Sequence, residues 1–149
     1  MGIRGEGMVT AIDVRDAVIG ALGEAFPGLP IHTETVDEGV VKPCFFVKDF
    51  PVAQSRIMGR RYARAHSFDI QYFPLSAIEP IEEAHDAAER LTEALEYIPL
   101  EVGQVRGTGM RYEFVDSVLH FFVNVNLYMF KPIMPVPLMG SVEVEEGIK

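Results

Sequence analysis

The sequence predicts an α+β fold: an antiparallel or mixed sheet of about five to six strands with two amphipathic helices packed on one face. Three observations carry this. Two segments repeat apolar residues at spacings of three and four, as amphipathic helices do. Several others alternate with period two, which sends one set of side chains to a buried sheet face and the other towards water. Their order is helix, three strands, helix, then two or three strands.

Thr10 followed by Asp13 is close to a capping box, and Ala11, Val14, Val18, Ala21, Leu22 and Ala25 make one apolar stripe after it. The first helix is therefore expected over Ala11–Phe26, ended by Pro27 and Gly28. Ile31–Val36 is β-branched and alternating and reads as a short strand, with a turn at Asp37-Glu-Gly39. Cys44–Phe50 is a more apolar and more central strand, closed by Pro51. Val52–Gly59 reads as a long loop. The stretch that follows has two characters. Arg60, Arg61 and Arg64 open it, and Phe68, Ile70 and Tyr72 then alternate with Ser67, Asp69 and Gln71. Its far end should pack a core while its near end concentrates positive charge.

Pro80 suits the first turn of a second helix, where a missing N–H costs nothing. Its buried stripe is expected to be Ile81, Ala84, Ala88, Leu91, Leu95 and Ile98. The other face carries Glu82, Glu83, Asp86, Glu89, Glu93 and Glu96. With Glu79 that makes seven acids against Arg90 alone, net −6 of the chain's −9. Such a face is either simply solvated or turned to a partner. Pro99–Val102 leaves the helix, Gly107 and Gly109 break the chain, and Met110–Val115 alternates. Asp116-Ser117 is a tight turn into a last strand, Val118–Phe130, completing an antiparallel hairpin. On that strand Leu119, Phe121, Val123, Val125, Leu127 and Met129 share one face, and His120, Phe122, Asn124, Asn126 and Tyr128 the other. Three prolines after Lys131 exclude helix. Residues 1–131 are thus expected to form one domain with a flexible stretch at 1–9, and 132–149 an extended arm covering its own domain or a neighbouring subunit.

The chain has 149 residues, 48% apolar and 23% charged, enough for one domain that buries roughly 70% of its unfolded surface. No apolar run reaches the ~18 residues of a membrane span, and the first residues lack the apolar core of a signal peptide, so no membrane association and a cytosolic site of synthesis are expected. A pI of about 4.8 disfavours nucleic-acid binding. The single cysteine, Cys44, excludes an internal disulfide and reads as a buried thiol.

A search for chemistry finds little. His32, His66, His85 and His120 are scattered, so no metal site is expected, nor any cofactor. There is no nucleophile elbow, no phosphate loop and no legible carboxylate pair. An enzyme is not expected. A small ligand-binding domain or enzyme built on the His120 and Asn124 face is the least favoured reading. What remains is charge: Arg56, Arg60, Arg61 and Arg64 lie within nine residues, opposite in sign to Glu82, Asp86, Glu89 and Glu93 on the second helix. In a ring, where each subunit shows its neighbours two different surfaces, these two sets form a candidate subunit interface.

Lys42-Pro-Cys-Phe-Phe-Val, then Pro51-Val-x-Gln54, Gly59-Arg-Arg-Tyr and Ser67-Phe-Asp-Ile-x-Tyr-Phe-Pro74, resemble the small tail terminator-like proteins of tailed bacteriophages and prophages. The likeness extends to the opening helix, the late Arg-Tyr-Glu hairpin and Met139-Gly140. It implies a non-enzymatic structural protein of similar α+β fold. It further implies a homo-oligomer, a hexameric ring, that caps the tail tube protein and offers a surface to the head–tail connector protein. Assembly would take place in the host cytoplasm and the product would reside in the virion tail. Another connector or tube component of the same virion is the alternative.

Overall fold

In a computed structural model, residues 9–34, 39–101 and 103–130 are described. Helix α1 spans Ala11–Ala25, followed by strands β1 (Ile31–His32), β2 (Cys44–Asp49), β3 (Ala53–Met58) and β4 (Arg61–Phe73). Helix α2 (Pro80–Ala94) comes next, and β5 (Tyr97–Leu100), β6 (Gly103–Val115) and β7 (Val118–Phe130) complete the described chain. The fold is α+β, as the pattern of periodicities predicts. The sheet runs β1-β2-β4-β7-β6-β5, with β3 also on β4, and is mixed because β1 pairs in parallel with β2. It has seven strands rather than five or six.

The start of α1 follows its sequence closely. The Thr10 hydroxyl accepts from the Asp13 amide at 3.1 Å and Asp13 accepts from the Thr10 amide at 2.9 Å, a complete capping box. Val14, Val18 and Leu22 of its stripe are buried. They meet Ala84, Ala87, Ala88 and Leu91 of α2 over one sheet face built from Phe45, Val47, Phe68, Ile70, Tyr72, Leu119, Phe121, Val123 and Val125. The registers Val47↔Ile70↔Phe121 and Phe45↔Tyr72↔Leu119 put these side chains side by side on three neighbouring strands. Cys44 is fully buried, and burial pushes its thiol pKa up despite the opposing pull of Lys42.

Several sequence expectations change. Val52–Gly59 is not a loop: Ala53–Met58 is β3, paired antiparallel with β4. Its residues are all exposed, so no apolar alternation marked it. Gly107 and Gly109 do not break the chain. β6 runs through both, and one extra residue between Thr108 and Arg111 makes a bulge in which Gly109 takes a φ of +59°. Ile98 is buried but belongs to β5, because α2 stops at Ala94 and the next strand begins at Tyr97. Ile81 lies outside the core at 55% exposure. The Ile31–Val36 strand is described only over Ile31–His32. The expected turn at Asp37 and the arm at 132–149 fall outside the described residues.

Glu83 was expected on the solvated face of α2 and instead fastens the approach to the helix. Its carboxylate accepts from the Tyr72 hydroxyl at 2.6 Å and from the amides of Leu75 and Ser76, both at 2.8 Å. Burial alone would raise its pKa, but these three donors outweigh burial and hold it below the usual carboxylate range. The Tyr72 hydroxyl is pushed the other way, by burial first and then by Glu83. Because the folded pKa of Glu83 is depressed, its stabilisation is complete above the unfolded value of about 4.3 and is lost as pH falls through the folded value. Glu83→Gln keeps one acceptor oxygen where three donors converge and turns an amide towards one of them. The variant should lose about 1–2 kcal/mol at pH 7. Its melting temperature should also depend less on pH below about 5 than the wild type's. Parallel thermal melts from pH 7 to 3 check this; superimposable curves would refute it.

Candidate assembly surface

Strand β4 is shared by two environments. Phe68, Ile70 and Tyr72 pair with β2 and β7 and are buried. Its first residues, Arg61–Ala65, lie between β3 and the end of β7, where β3 is exposed throughout. The result is a hairpin arm projecting past the core. Gly59-Arg60 forms its two-residue turn, and Gly59 takes a φ of +56°, open to glycine at little cost. One extra residue between Arg56 and Met58 makes a bulge near the tip.

The arm gathers three of the predicted arginines on open surface. Arg56, Arg60 and Arg61 are exposed, and Arg56 donates to the Gly59 carbonyl at 2.9 Å, bracing the turn. Arg64 behaves differently. Its fork holds the Gln54 side chain at 3.0 and 2.9 Å and the Val9 carbonyl at 3.0 Å, tying the arm to the residues before α1. His66, two residues further on, is buried; burial and then Arg64 push its pKa down, so it stays neutral and adds no charge to the arm. Beside the arginines stand apolar residues that pattern reasoning missed. Ile57, Met58 and Tyr128 are 49%, 69% and 72% exposed, and a shallow cavity of about 250 Å³ lies among Ile57, Arg61, Tyr128 and Met129. A fully exposed strand has no alternation to find, which is why they escaped notice.

The acids sit on another part of the molecule. Glu82, Asp86, Glu89 and Glu93 are all exposed on α2, opposite the buried Ala84, Ala87, Ala88 and Leu91. Arg90 leaves this face: it donates to the Ala25 carbonyl at the end of α1 and lies over the Phe26 ring at 4.0 Å. The exposed stripe of α2 is therefore acidic without a cation among its members. Within one chain the two charged sets are held apart by the core between them. α2 packs on α1, β5, β6 and β7, and β3 packs along β4.

The outer sheet face carries polar residues joined across strands. His120 Nδ1 lies 3.0 Å from Asp69 Oδ2, Gln71 donates to the same oxygen at 3.1 Å, and the Ser67 hydroxyl donates to Asn124 at 2.9 Å. Asp69 was expected to face water and is 6% exposed, covered by these neighbours. Ser67 is opposite Asn124, whereas His120 is opposite Gln71. Four residues of strand, roughly 13 Å, therefore separate the hydroxyl from the imidazole. Ser67 and His120 thus form no nucleophile–base pair, and His120 and Asn124 do not converge on one point. Among the described residues no group of three or more His, Cys, Asp or Glu side chains could hold a metal ion. No helix among them is long and apolar enough to cross a membrane.

The phage tail terminator protein family matches residues 13–136, which takes in all of α1 but its first two residues, α2, the arm and the whole sheet. The chain belongs to this family. Among curated proteins nothing matches the chain. Among solved structures it is similar to the sheath/tube terminator of an extracellular contractile injection system, PVC, in its extended state. The identity is 14% and the TM-score 0.46, over 89% of this chain and 63% of that one.

Proposed function

We propose that the chain ends growth of the phage tail tube by forming a homo-oligomeric ring, a hexamer, on its head-proximal end, and that the ring then presents the surface joined by the head–tail connector protein. The family match over residues 13–136 carries this reading. The protein works by assembly and not by catalysis, first in the host cytoplasm and then in the virion. The candidate interface fits such a ring: a basic arm with Arg56, Arg60 and Arg61 at one end of the sheet, and the acidic α2 stripe of Glu82, Asp86, Glu89 and Glu93 for the next copy. Arg64 serves this interface indirectly, by fixing the arm. Two different surfaces on each subunit make a heterologous contact, which closes into a ring when the rotation allows. An acidic chain, net −9, also suits a passage through which DNA slides without binding.

Deleting the gene from an inducible prophage tests the proposal. Tails should become overlong or unable to join heads, as measured by electron microscopy. Tails of normal, fixed length would sink it.

A further inference from the structure

At the end of the sheet opposite the arm, α2 and β6 leave a small cleft. Ile81, Ala84, His85, Tyr112, Glu113, Phe114 and Leu119 line it, with a volume of about 170 Å³. That falls short of the roughly 300 Å³ at which small-molecule sites begin. It suits one apolar side chain. Ile81 at its rim is 55% exposed and Tyr112 39%, and the His85 ring stands edge-on to Tyr112, with Nδ1 3.3 Å from the hydroxyl. Nearby loops add Leu75 at 66% and Ile78 at 89% exposure. An apolar cleft surrounded by exposed apolar residues is a surface built to be covered.

Charge selects the occupant. Glu82 and Asp86 stand exposed on the first turns of α2 beside Ile81 and His85, two of the residues that line the cleft. The rim is therefore acidic. The arm is its complement: Ile57 and Met58 protrude with Arg56, Arg60 and Arg61 around them. One chain cannot bring its own two surfaces together. Arg61 and Tyr72 are separated by eleven residues of continuous β4, about 35 Å, and Tyr72 is the residue opposite Leu119 at the cleft.

We propose that the cleft between α2 and β6 is a socket for the arm of a second copy of this chain, with Met58 or Ile57 entering between Ile81, Tyr112 and Phe114 and the arm's arginines meeting Glu82 and Asp86. This deepens the ring reading and rests on it. The apolar plug supplies affinity in a desolvated centre, and the surrounding charges supply direction and register. An unbranched, flexible methionine is suited to filling a small irregular cleft.

Cysteine trapping tests the contact even when it is transient. Met58→Cys and Ile81→Cys are prepared as separate proteins; both positions are exposed, and the native Cys44 is buried and out of reach. Mild oxidation of the mixture should give a disulfide-linked dimer at least tenfold above either protein alone, because plug and socket then reside on different copies. A mixture no richer in dimer than its components would overturn the socket. Tail length in the gene deletion reads the ring proposal independently. Overlong tails without trapping would remove this socket alone, and normal tails would remove the function beneath it.

Discussion

Gly107→Val should cost at least about 3 kcal/mol and lower the melting temperature by about 10 °C. Gly107 lies where the end of α2 turns into β5 and crosses β6. Its amide donates to the carbonyls of Leu95 and Glu96 at 3.0 and 3.3 Å. A Cβ there would stand 2.3 Å from the Leu95 carbonyl oxygen and 3.0 Å from both Met110 Cε and Val123 Cγ2. The methionine tip can move, but the carbonyl cannot without unseating Leu95, which is fully buried, and breaking both hydrogen bonds. The substitution therefore forces α2 off the sheet or bends β6, and either opens the core. Gly20 is the control. It is exposed on α1 with nothing within 4 Å of its Cβ position, so Gly20→Ala should gain about 0.5–1 kcal/mol from helix propensity alone. Chemical denaturation of the three proteins measures both effects. A Gly107→Val loss below about 1 kcal/mol would show that the close approach is not what fixes the corner.

The same corner shows how far the sequence could be read. Gly107 and Gly109 were visible as interruptions, but their meaning lay in contacts distant along the chain. One is the carbonyl of Leu95; the other is Asn124, whose amide nitrogen lies 2.6 Å from a Cβ placed on Gly109. Where one face is buried and the other wet, as in Phe68–Ile70–Tyr72 and Leu119–Phe121–Val123, period two identified the strand and its core side. The Thr10–Asp13 box and the Asp116-Ser117 turn were legible because their hydrogen bonds or backbone angles, φ 52° and 64° at the turn, are local. β3 was illegible because both of its faces are exposed. Glu83 looked like its acidic neighbours because its donors, Tyr72, Leu75 and Ser76, come from the preceding strand and loop. The arginines of the arm were found through their sign; the apolar residues among them and the cleft that complements them needed the fold.

Reversing Arg60 and Arg61 together should weaken association between copies about a hundredfold while leaving the monomer folded. Both are exposed at the tip of the arm, so their replacement by Glu should leave the chain folded, as a cooperative thermal unfolding curve would show. Arg64 is the wrong choice for this test. Its bonds to Gln54 and Val9 hold the arm in place, and Arg64→Glu would mix a loss of structure with a loss of charge. Sedimentation at low salt measures the effect, because exposed charges are screened within about 10 Å at 0.1 M. The contrast between wild type and variant should therefore shrink as salt rises. The sign of the partner decides the interpretation. If the arm meets α2 of another copy, adding Glu82→Arg and Asp86→Arg to the reversed chain should restore association, since every contact again joins opposite charges. A chain carrying only the α2 reversals should fail alone, yet pair with the arm-reversed chain. Restoration by the fourfold variant cannot come from repairing a single subunit, because about 35 Å of β4 separates the two sets within it. Failure to restore, with every variant folded, would move the arm's partner to a different protein of the tail.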